Sequence, residues 1–402
     1  MLLIFTSHPI QYQAPLWGKL AESNAIPFEV LFLSSRGACR YFDPEFQRDI
    51  AWDIPMLEGY SYTILNAPER PDHSSAATFR NSFEDILLKK KVTHLWVHGW
   101  APWPMREAIH IAHNQKIKIW LTAENHNLGN PSSLRIALKK IFLSPIFRKI
   151  DTFLVIGSAN HAFYKSFSIS DSRLVRFPYS VDNDRFHAQS QTLRPIRLEI
   201  RQRWHIPPHA YCALFCGKLI PKKRPTDLIA AARLCMRQNP SRPIHLLFCG
   251  TGPLKKTLTQ TCSIAYDAES PQATPQKKHD HPQASFIGFL NQTEIPQAYV
   301  AADCLVLPSD YRETWGLVVN EAMASDCPAI ISDQCGCAPD LAVIPPNRSY
   351  PCGDVSALAQ AMLSLHTSAT SPHQLYHKLS AAGHHYTHLV DQIRRLYSST
   401  PS

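Results

Sequence analysis

No stretch of this 402-residue sequence approaches the roughly 18 to 20 apolar residues of a membrane-spanning helix, so any membrane contact is expected to be peripheral. No basic leader opens it: MLLIFTSHPIQYQ is apolar for only its first five residues, which reads as a first strand and not as a signal peptide. Acidic charge is in deficit. The 32 Asp and Glu against 41 Lys and Arg leave a formal charge of +9, which favours an anionic partner such as a nucleotide, a phospholipid surface or a nucleic acid without choosing among them. The low-hydrophobicity, high-charge signature of disorder is absent at 45% apolar and 18% charged residues. At roughly 150 residues per domain, the length suggests two or three domains. A zinc-type ligand set is lacking as well: Cys335 and Cys337 are close and Cys352 is near, but no histidine or fourth thiol completes the spacing. The 11 cysteines are odd in number, and several lie in apolar runs such as AADCLVLP and HLLFCG, so they read as reduced core residues of a cytosolic protein.

Short apolar runs are abundant. Those at 2–6, 28–33, 93–98, 117–122 and 152–156 alternate with segments of helical period, the pattern of parallel strands covered on both faces by crossover helices. A second series, 211–216, 244–249, 284–287, 303–308 and 328–332, repeats the plan with helices expected at 223–238 and 294–302. The expected fold class is therefore α/β, with two doubly wound Rossmann-like domains facing across a cleft. The expected boundaries are 1–185 for an N-terminal domain, 186–365 for a C-terminal domain and 366–402 for a helical tail that returns toward the first. The polar, proline-bounded segment 178–195 suits an interdomain linker. Residues 264–283, rich in Pro, Gln, Lys and His, read as a flexible surface insertion. In the tail, Leu379, Leu389, Ile393 and Leu396 can line one helical face, and its histidines read as solvated helix residues, not as metal ligands.

In such a fold, strand ends and the helix N-termini after them surround one crevice, and free amides with a positive dipole end suit a phosphate-bearing ligand. The richest loop there is in 306–341, VLPSDYRETWGLVVNEAMASDCPAIISDQCGCAPDL: a strand, a polar loop with Asp310, Arg312 and Glu313, then Gly316, then a helix over about 317–325 carrying Glu321. A carboxylate near the start of that helix can accept two hydroxyl hydrogen bonds, as a ribose or sugar diol requires. Read singly, Glu313 is better taken as a solvated loop acid and Glu321 as a helix-surface acid near a favourable dipole end. A second loop, CGKLIPKKRPTDLIAAARL at 216–234, ends its strand with Gly217 and sets Lys218, Lys222, Lys223 and Arg224 before a helix. Cations oppose the dipole at that end, yet they would neutralise charge developing on a departing diphosphate. The third, FCGTGPLKK, lacks the third glycine of a dinucleotide fingerprint and does not follow the first strand, which disfavours NAD.

Four blocks in order, PYSVDNDRF, GKLIPKKRPTDLIAAA, CGTGPLKKTL with FIGFL, and SDYRETWGLVVNEAMASDCPAIISD, make the sequence similar to the GT-B glycosyltransferases, specifically the retaining, nucleotide-sugar-dependent family 4 type (glycosyl transferases group 1). The blocks span 178 to about 341; over the first half the resemblance is mostly architectural. The resemblance implies that Glu321 holds the donor ribose and Glu313 contacts hydroxyls of the transferred sugar. Gly316, Leu317 and Val318 would offer backbone N–H groups, and Gly217, Lys218 and Lys223 would complete the donor site, Lys223 at the diphosphate. Lys218 stands where the family usually has arginine, which keeps the charge and loses the bidentate fork. Tyr179 and Ser180 replace a common Asn-Gly pair, and TSHPIQYQAP lacks the usual paired glycines. Near the reacting carbon the family often places a histidine; Glu124 and His126 in TAENHN are both candidates here. Asp182, Asn183 and Asp184 match the family's structural linker letters, so no metal and no other cofactor is expected. Ser7, His8, Gln11, His98 and Trp100 are the remaining polar groups at strand ends of the first half, and for His98 a structural hydrogen bond is as good a reading as a substrate contact.

The implied function is transfer of a sugar from a nucleotide diphosphate sugar to a hydroxyl acceptor, a sugar or lipid-linked glycan, in cell-surface glycan or glycolipid synthesis. Residues 132–150, SSLRIALKKIFLSPIFRKI, carry Arg135, Lys139, Lys140, Arg148 and Lys149 among Leu, Ile and Phe, with no acid. The segment suits either an anionic membrane surface or packing on the first sheet, with Pro145 breaking it in two. The expected location is accordingly cytoplasmic, at most peripheral at the inner membrane face. A nucleotide-sugar epimerase or phosphorylase on the same fold is the rival reading. A noncatalytic basic nucleic-acid-binding module is a third, but no nucleic-acid motif is present, so nucleic acid is not expected as a partner.

Overall fold

The computed structural model describes residues 1–70, 72–129, 132–271, 279–367 and 374–399. Two compact units emerge, one of Met1–Tyr41, Ile54–Tyr179 and His385–Ser402, the other of Phe42–Asp53 and Ser180–His384. The strands in chain order are β1 (Leu2–Thr6), β2 (Phe28–Phe32), β3 (Tyr41–Asp43), β4 (Arg48–Ile50), β5 (Tyr62–Ile64), β6 (His94–His98), β7 (Lys118–Thr122), β8 (Thr152–Val155) and β9 (Leu174–Arg176). They continue with β10 (Tyr211–Cys216), β11 (Ile244–Cys249), β12 (Ser263–Asp267), β13 (Gln283–Gly288), β14 (Cys304–Leu307), β15 (Ala329–Ser332) and β16 (Arg348–Tyr350).

In the first unit a seven-stranded parallel sheet runs β5-β2-β1-β6-β7-β8-β9. Leu3 and Phe5 enter one core with Phe79, Phe83 and Leu95, while Leu2 and Ile4 enter another with Trp17, Trp96, Leu389 and Ile393. One strand thus feeds two cores, because successive side chains leave opposite faces and helices cover both. The second unit repeats the architecture as β12-β13-β11-β10-β14-β15-β16, again parallel. Its strands β10, β11, β14 and β15 are buried along their whole length, which is why they read as continuous apolar runs. Each unit thus has the doubly wound α/β architecture expected.

Several local expectations change. The segment 178–195 is no open linker: Asn183–Leu193 is a helix whose N-cap Asp182 accepts from the Arg185 amide. It packs on the helices Pro296–Ala301 and Val318–Ala324, so the change of unit falls between Tyr179 and Ser180. Part of the expected insertion 264–283 is strand β12, which pairs with β13 at the sheet edge; residues 272–278 lie outside the described ones. The tail forms two helices, Leu375–Ala381 and Tyr386–Ser398, parted by Gly383 at φ +89, so Leu379 does not share a face with Leu389 and Ile393. Leu379 is buried in the second unit, and Leu389 and Ile393 in the first. Pro145 does not break 132–150, because Ser133–Phe147 is one helix. The proline removes a single amide donor in the last turn, where the burial of Leu143 and Phe147 holds the chain. Among the described residues no helix is long and apolar enough to cross a membrane, and no group of three His, Cys, Asp or Glu could hold a metal ion. Nine of the cysteines are buried thiols, and Cys39 and Cys352 are not buried; burial pushes the Cys212 thiol up to about 12.

Candidate functional site

Strand order reverses in the second unit between β10 and β14, which are direct neighbours, and loops leaving the C-terminal ends of such a pair diverge to opposite faces and leave a crevice. The loop after β10 is zipped to the loop after β11: the Gly217 amide donates to the Cys249 carbonyl at 2.9 Å and the Leu219 amide to that of Thr251 at 2.9 Å. A Cβ at Gly250 would lie 2.0 Å from the Gly217 carbonyl oxygen, so only glycine fits there. The chain then makes a 3-10 turn, Pro221–Lys223, and enters the helix Pro225–Gln238 through Arg224 in the left-handed region at φ +48.

The loop after β14 comes back to this turn. The Asp310 amide donates to the Lys222 carbonyl at 2.9 Å, and the Lys223 ammonium donates to Glu313 Oε2. Ser309 Oγ donates to the same oxygen at 3.1 Å. Both ends of the Lys223–Glu313 pair keep only 14% side-chain exposure. Burial disfavours the Lys223 charge, but attraction to Glu313 and its hydrogen bond outweigh that and raise the ammonium pKa. Gly316, at φ +103, closes the loop against Leu307, Cys337 and Glu313; a Cβ would stand 2.6 Å from a Leu307 methyl and 3.7 Å from Glu313 Cγ. Leu317 caps the short helix Val318–Ala324. The amides of Leu317 and Val318 open that helix and have no carbonyl partner within it.

Glu321 lies on this helix and is buried at 8% exposure, with the Tyr299 hydroxyl donating to its Oε2 at 2.6 Å. Burial pushes its carboxyl pKa up, opposed by that hydrogen bond and by the Arg185 charge. The same hydroxyl stands 3.7 Å from Cys216 Sγ, one residue before Gly217. Lys223, Glu313 and Gly316 are therefore in one cluster, and Glu321 is tied to the β10 end through Tyr299. Lys218 behaves differently: its ammonium is held by Glu45 Oε2 at 2.7 Å and Asp43 Oδ2 at 3.1 Å, in the segment 42–53 of the same unit.

In the first unit, the loop after β7 carries Glu124 and His126. Glu124 Oε1 accepts from Tyr179 at 2.5 Å and Tyr12 at 3.4 Å, and burial, reinforced by the Glu124 charge, raises both phenols. His126 Nδ1 accepts from the Leu128 amide at 3.2 Å. Asn160 pins the loop by donating to the Ala123 and Asn125 carbonyls. His98 is paired with Gln13 Nε2 at 3.1 Å and tilted over Trp96, and burial holds it neutral, down to about 3. The residues missed from sequence are Tyr299, Ser309, Asp43 and Glu45. Tyr299, Asp43 and Glu45 meet their partners across a loop or helix with no motif of their own, whereas Ser309, like Arg185, lay inside a recognised block without being singled out.

Comparison with known proteins bears on the same region. The family described as Glycosyl transferases group 1 matches residues 196–384. A D-inositol 3-phosphate glycosyltransferase of Corynebacterium glutamicum is 25% identical over 291 residues, covering 67% of this chain and 62% of that relative; the chain thus matches less than two thirds of the relative's length. Among solved structures, a Rickettsia africae glycosyltransferase superposes at TM-score 0.69 with 12% identity, over 100% of this chain and 99% of that one. Anabaena HepE, solved in complex with UDP-glucose, superposes at 0.63 with 12% identity, over 99% of both chains. At such identities the structural likeness establishes fold. Residues 196–384 of this chain match the glycosyl transferases group 1 family, and the fold is that of the glycosyltransferase structures it superposes on.

Proposed function

We propose that this chain is a retaining glycosyltransferase that moves a sugar from a nucleoside diphosphate sugar to a hydroxyl acceptor, in cell-surface glycan or glycolipid synthesis. The observation that carries the reading is the buried Lys223–Glu313 pair, which joins the loops leaving β10 and β14 where the strand order reverses. Lys223 is kept charged by its partner, so it can take up the negative charge that grows on a departing diphosphate. The amides of Gly316, Leu317 and Val318, and Lys218 beyond Gly217, complete the phosphate side. Glu313, fixed by Ser309, accepts hydroxyls of the transferred sugar, and Glu321, fixed by Tyr299, accepts those of the ribose. In the first unit His126, whose Nδ1 accepts from the Leu128 amide, is the side chain assigned beside the reacting carbon of the sugar. Glu124, shared between two phenols, positions that loop. The neighbour holding UDP-glucose supports the donor class, and the relative named as a D-inositol 3-phosphate glycosyltransferase supports the transferase reading.

The helix Ser133–Phe147 supports a peripheral association of this enzyme with an anionic membrane. Leu134, Leu138, Ile141 and Phe142 share one face at helical spacing and are 55–73% exposed, with Arg135 and Lys140 beside them. Apolar insertion combined with attraction of these cations to acidic headgroups is the physics of an interfacial helix.

The test is to incubate the protein with labelled UDP-, GDP- and ADP-sugars, with and without sugar and glycolipid acceptors, and to read anomeric configuration by NMR. An acceptor-dependent glycoside of unchanged configuration, with release of the nucleoside diphosphate, is expected. An epimerised sugar nucleotide, a phosphate-dependent product, or no turnover of any donor contradicts the reading.

A further inference from the structure

Residues Phe42–Asp53 leave the first unit's stretch of sequence and belong to the second unit, where they lie over the ends of three neighbouring strands, β10, β11 and β13. Beyond β10, Lys218 donates to Glu45 and Asp43, and Lys222 Nζ stands 3.8 Å from Glu45 Oε1. Beyond β11, Thr251 Oγ1 donates to the Phe46 carbonyl at 2.6 Å, and a Cβ on Gly252 would come within 3.0 Å of the Glu45 carbonyl oxygen. Beyond β13, the Phe289 ring meets Phe46 at 5.3 Å with the Arg48 guanidinium 4.8 Å above it. Asn291 Nδ2 donates to the Ala51 carbonyl at 2.7 Å, and the Thr293 amide to Asp53 at 3.1 Å. Strand ends of an open parallel sheet are where ligands bind, so this segment lies on the ligand-binding edge.

The attachment is that of a strap and not of a core wall. It is made by ion pairs, backbone carbonyls and ring edges, and Phe46 and Arg48 bound a cavity of about 530 Å³ shared with Thr251, Lys255 and Asp267. Asp43 Oδ1 accepts from the Glu45 and Phe46 amides at 2.9 and 3.0 Å, which shapes the turn between β3 and β4. The Glu45 side chain is half-exposed and reaches out to both lysines. Its hydrogen bond from Lys218 holds the carboxyl below the usual range, so it is anionic at neutral pH.

We propose that Glu45, supported by Asp43, is an internal competitor for the diphosphate: it engages the same Lys218 and Lys222 ammonium groups and must swing away for the donor to bind, so that it sets donor affinity. The inference rests on the donor reading above. Lys218 has three N–H donors, two of them directed at carboxylates here, and a pyrophosphate can engage the ammonium fully only by displacing at least one. Ligand binding then carries the penalty of breaking the Glu45 contacts, and apparent affinity is the intrinsic affinity multiplied by the fraction of molecules already released.

The experiment is calorimetric titration of wild type and Glu45→Gln with UDP, GDP, ADP and inorganic pyrophosphate, with thermal melting of both unliganded proteins as a check on folding. Because the contacts are partly solvated, their loss should tighten binding by about two- to fivefold. In parallel, hydrogen exchange of amides 42–53 in wild type should quicken when the bound nucleotide saturates the protein. Unchanged or weaker binding by a folded Glu45→Gln, or slower exchange of 42–53 on binding, overturns the competitor and leaves the donor reading standing. Failure of wild type and variant alike to bind any of the four ligands overturns the donor reading, and this proposal with it.

Discussion

Replacing Lys223 by methionine separates what this side chain does for folding from what it does for chemistry. The substitution keeps volume and removes the charge, leaving the Glu313 carboxylate, 14% exposed, with Ser309 as its remaining side-chain donor among the contacts described above. Stripping one partner from a buried pair typically costs about 3–5 kcal/mol; residual solvent and Ser309 place this site nearer about 2–3 kcal/mol. For a unit of this size each kcal/mol moves the melting temperature by about 2–4 °C, so the second unit's transition should fall by roughly 4–12 °C in scanning calorimetry. Adding Glu313→Gln removes the stranded charge, and the double variant should recover most of that loss. Sugar transfer should behave otherwise: both the single and the double variant should be slower by about 10²–10³-fold, since neither retains the buried Lys223 cation at the departing diphosphate. A Lys223→Met protein that melts with wild type, or a double variant that recovers activity together with stability, would refute the reasoning.

Two further outcomes follow from the same geometry. Glu321 has its carboxyl pKa raised above the ordinary 4.5, so the folded state holds that proton more tightly than the unfolded chain. Its ionisation therefore disfavours folding above the raised value, and that penalty is relieved as pH falls toward 4.5. Nucleotide affinity should run the opposite way, weakening as pH drops through the raised value because a protonated carboxyl loses acceptor capacity, and Glu321→Gln should flatten that pH profile in fluorescence or calorimetric titration. On the helix Ser133–Phe147, Leu138→Glu puts a charge in the exposed apolar face and should abolish sedimentation with phosphatidylglycerol vesicles while leaving the melting temperature unchanged; retained sedimentation would contradict the membrane reading.

The central strands were legible in the sequence because parallel strands covered on both faces are apolar throughout, and β10 and β11 begin and end at the residues their runs suggested. Short edge strands were not. β5, β9 and β16 have three residues each, with no more than one buried residue, and carry no periodic signal. The helix Asn183–Leu193 was hidden by its polarity, although Asp182 supplied a cap, since helices that pack with few apolar residues look like linkers. At the candidate site, the glycines and the acid pair were readable as motifs. The Lys223–Glu313 contact spans 90 positions and the Lys218–Glu45 contact 173, and pairing at such separation is decided by sheet order, which local sequence does not encode. Tyr299 was invisible for a related reason: an aromatic in a buried helix is ordinarily core, and only its hydroxyl's position beside Glu321 distinguishes it.

The most direct measurement of the central claim is a calorimetric titration of nucleoside diphosphates into wild type, Lys223→Met and Glu321→Ala. One saturable site on wild type for at least one of UDP, GDP or ADP, weakened about tenfold or more in each variant, is the expected result. Equal affinity in all three folded proteins, or no binding by wild type, would contradict the claim that these loops grip a nucleotide diphosphate.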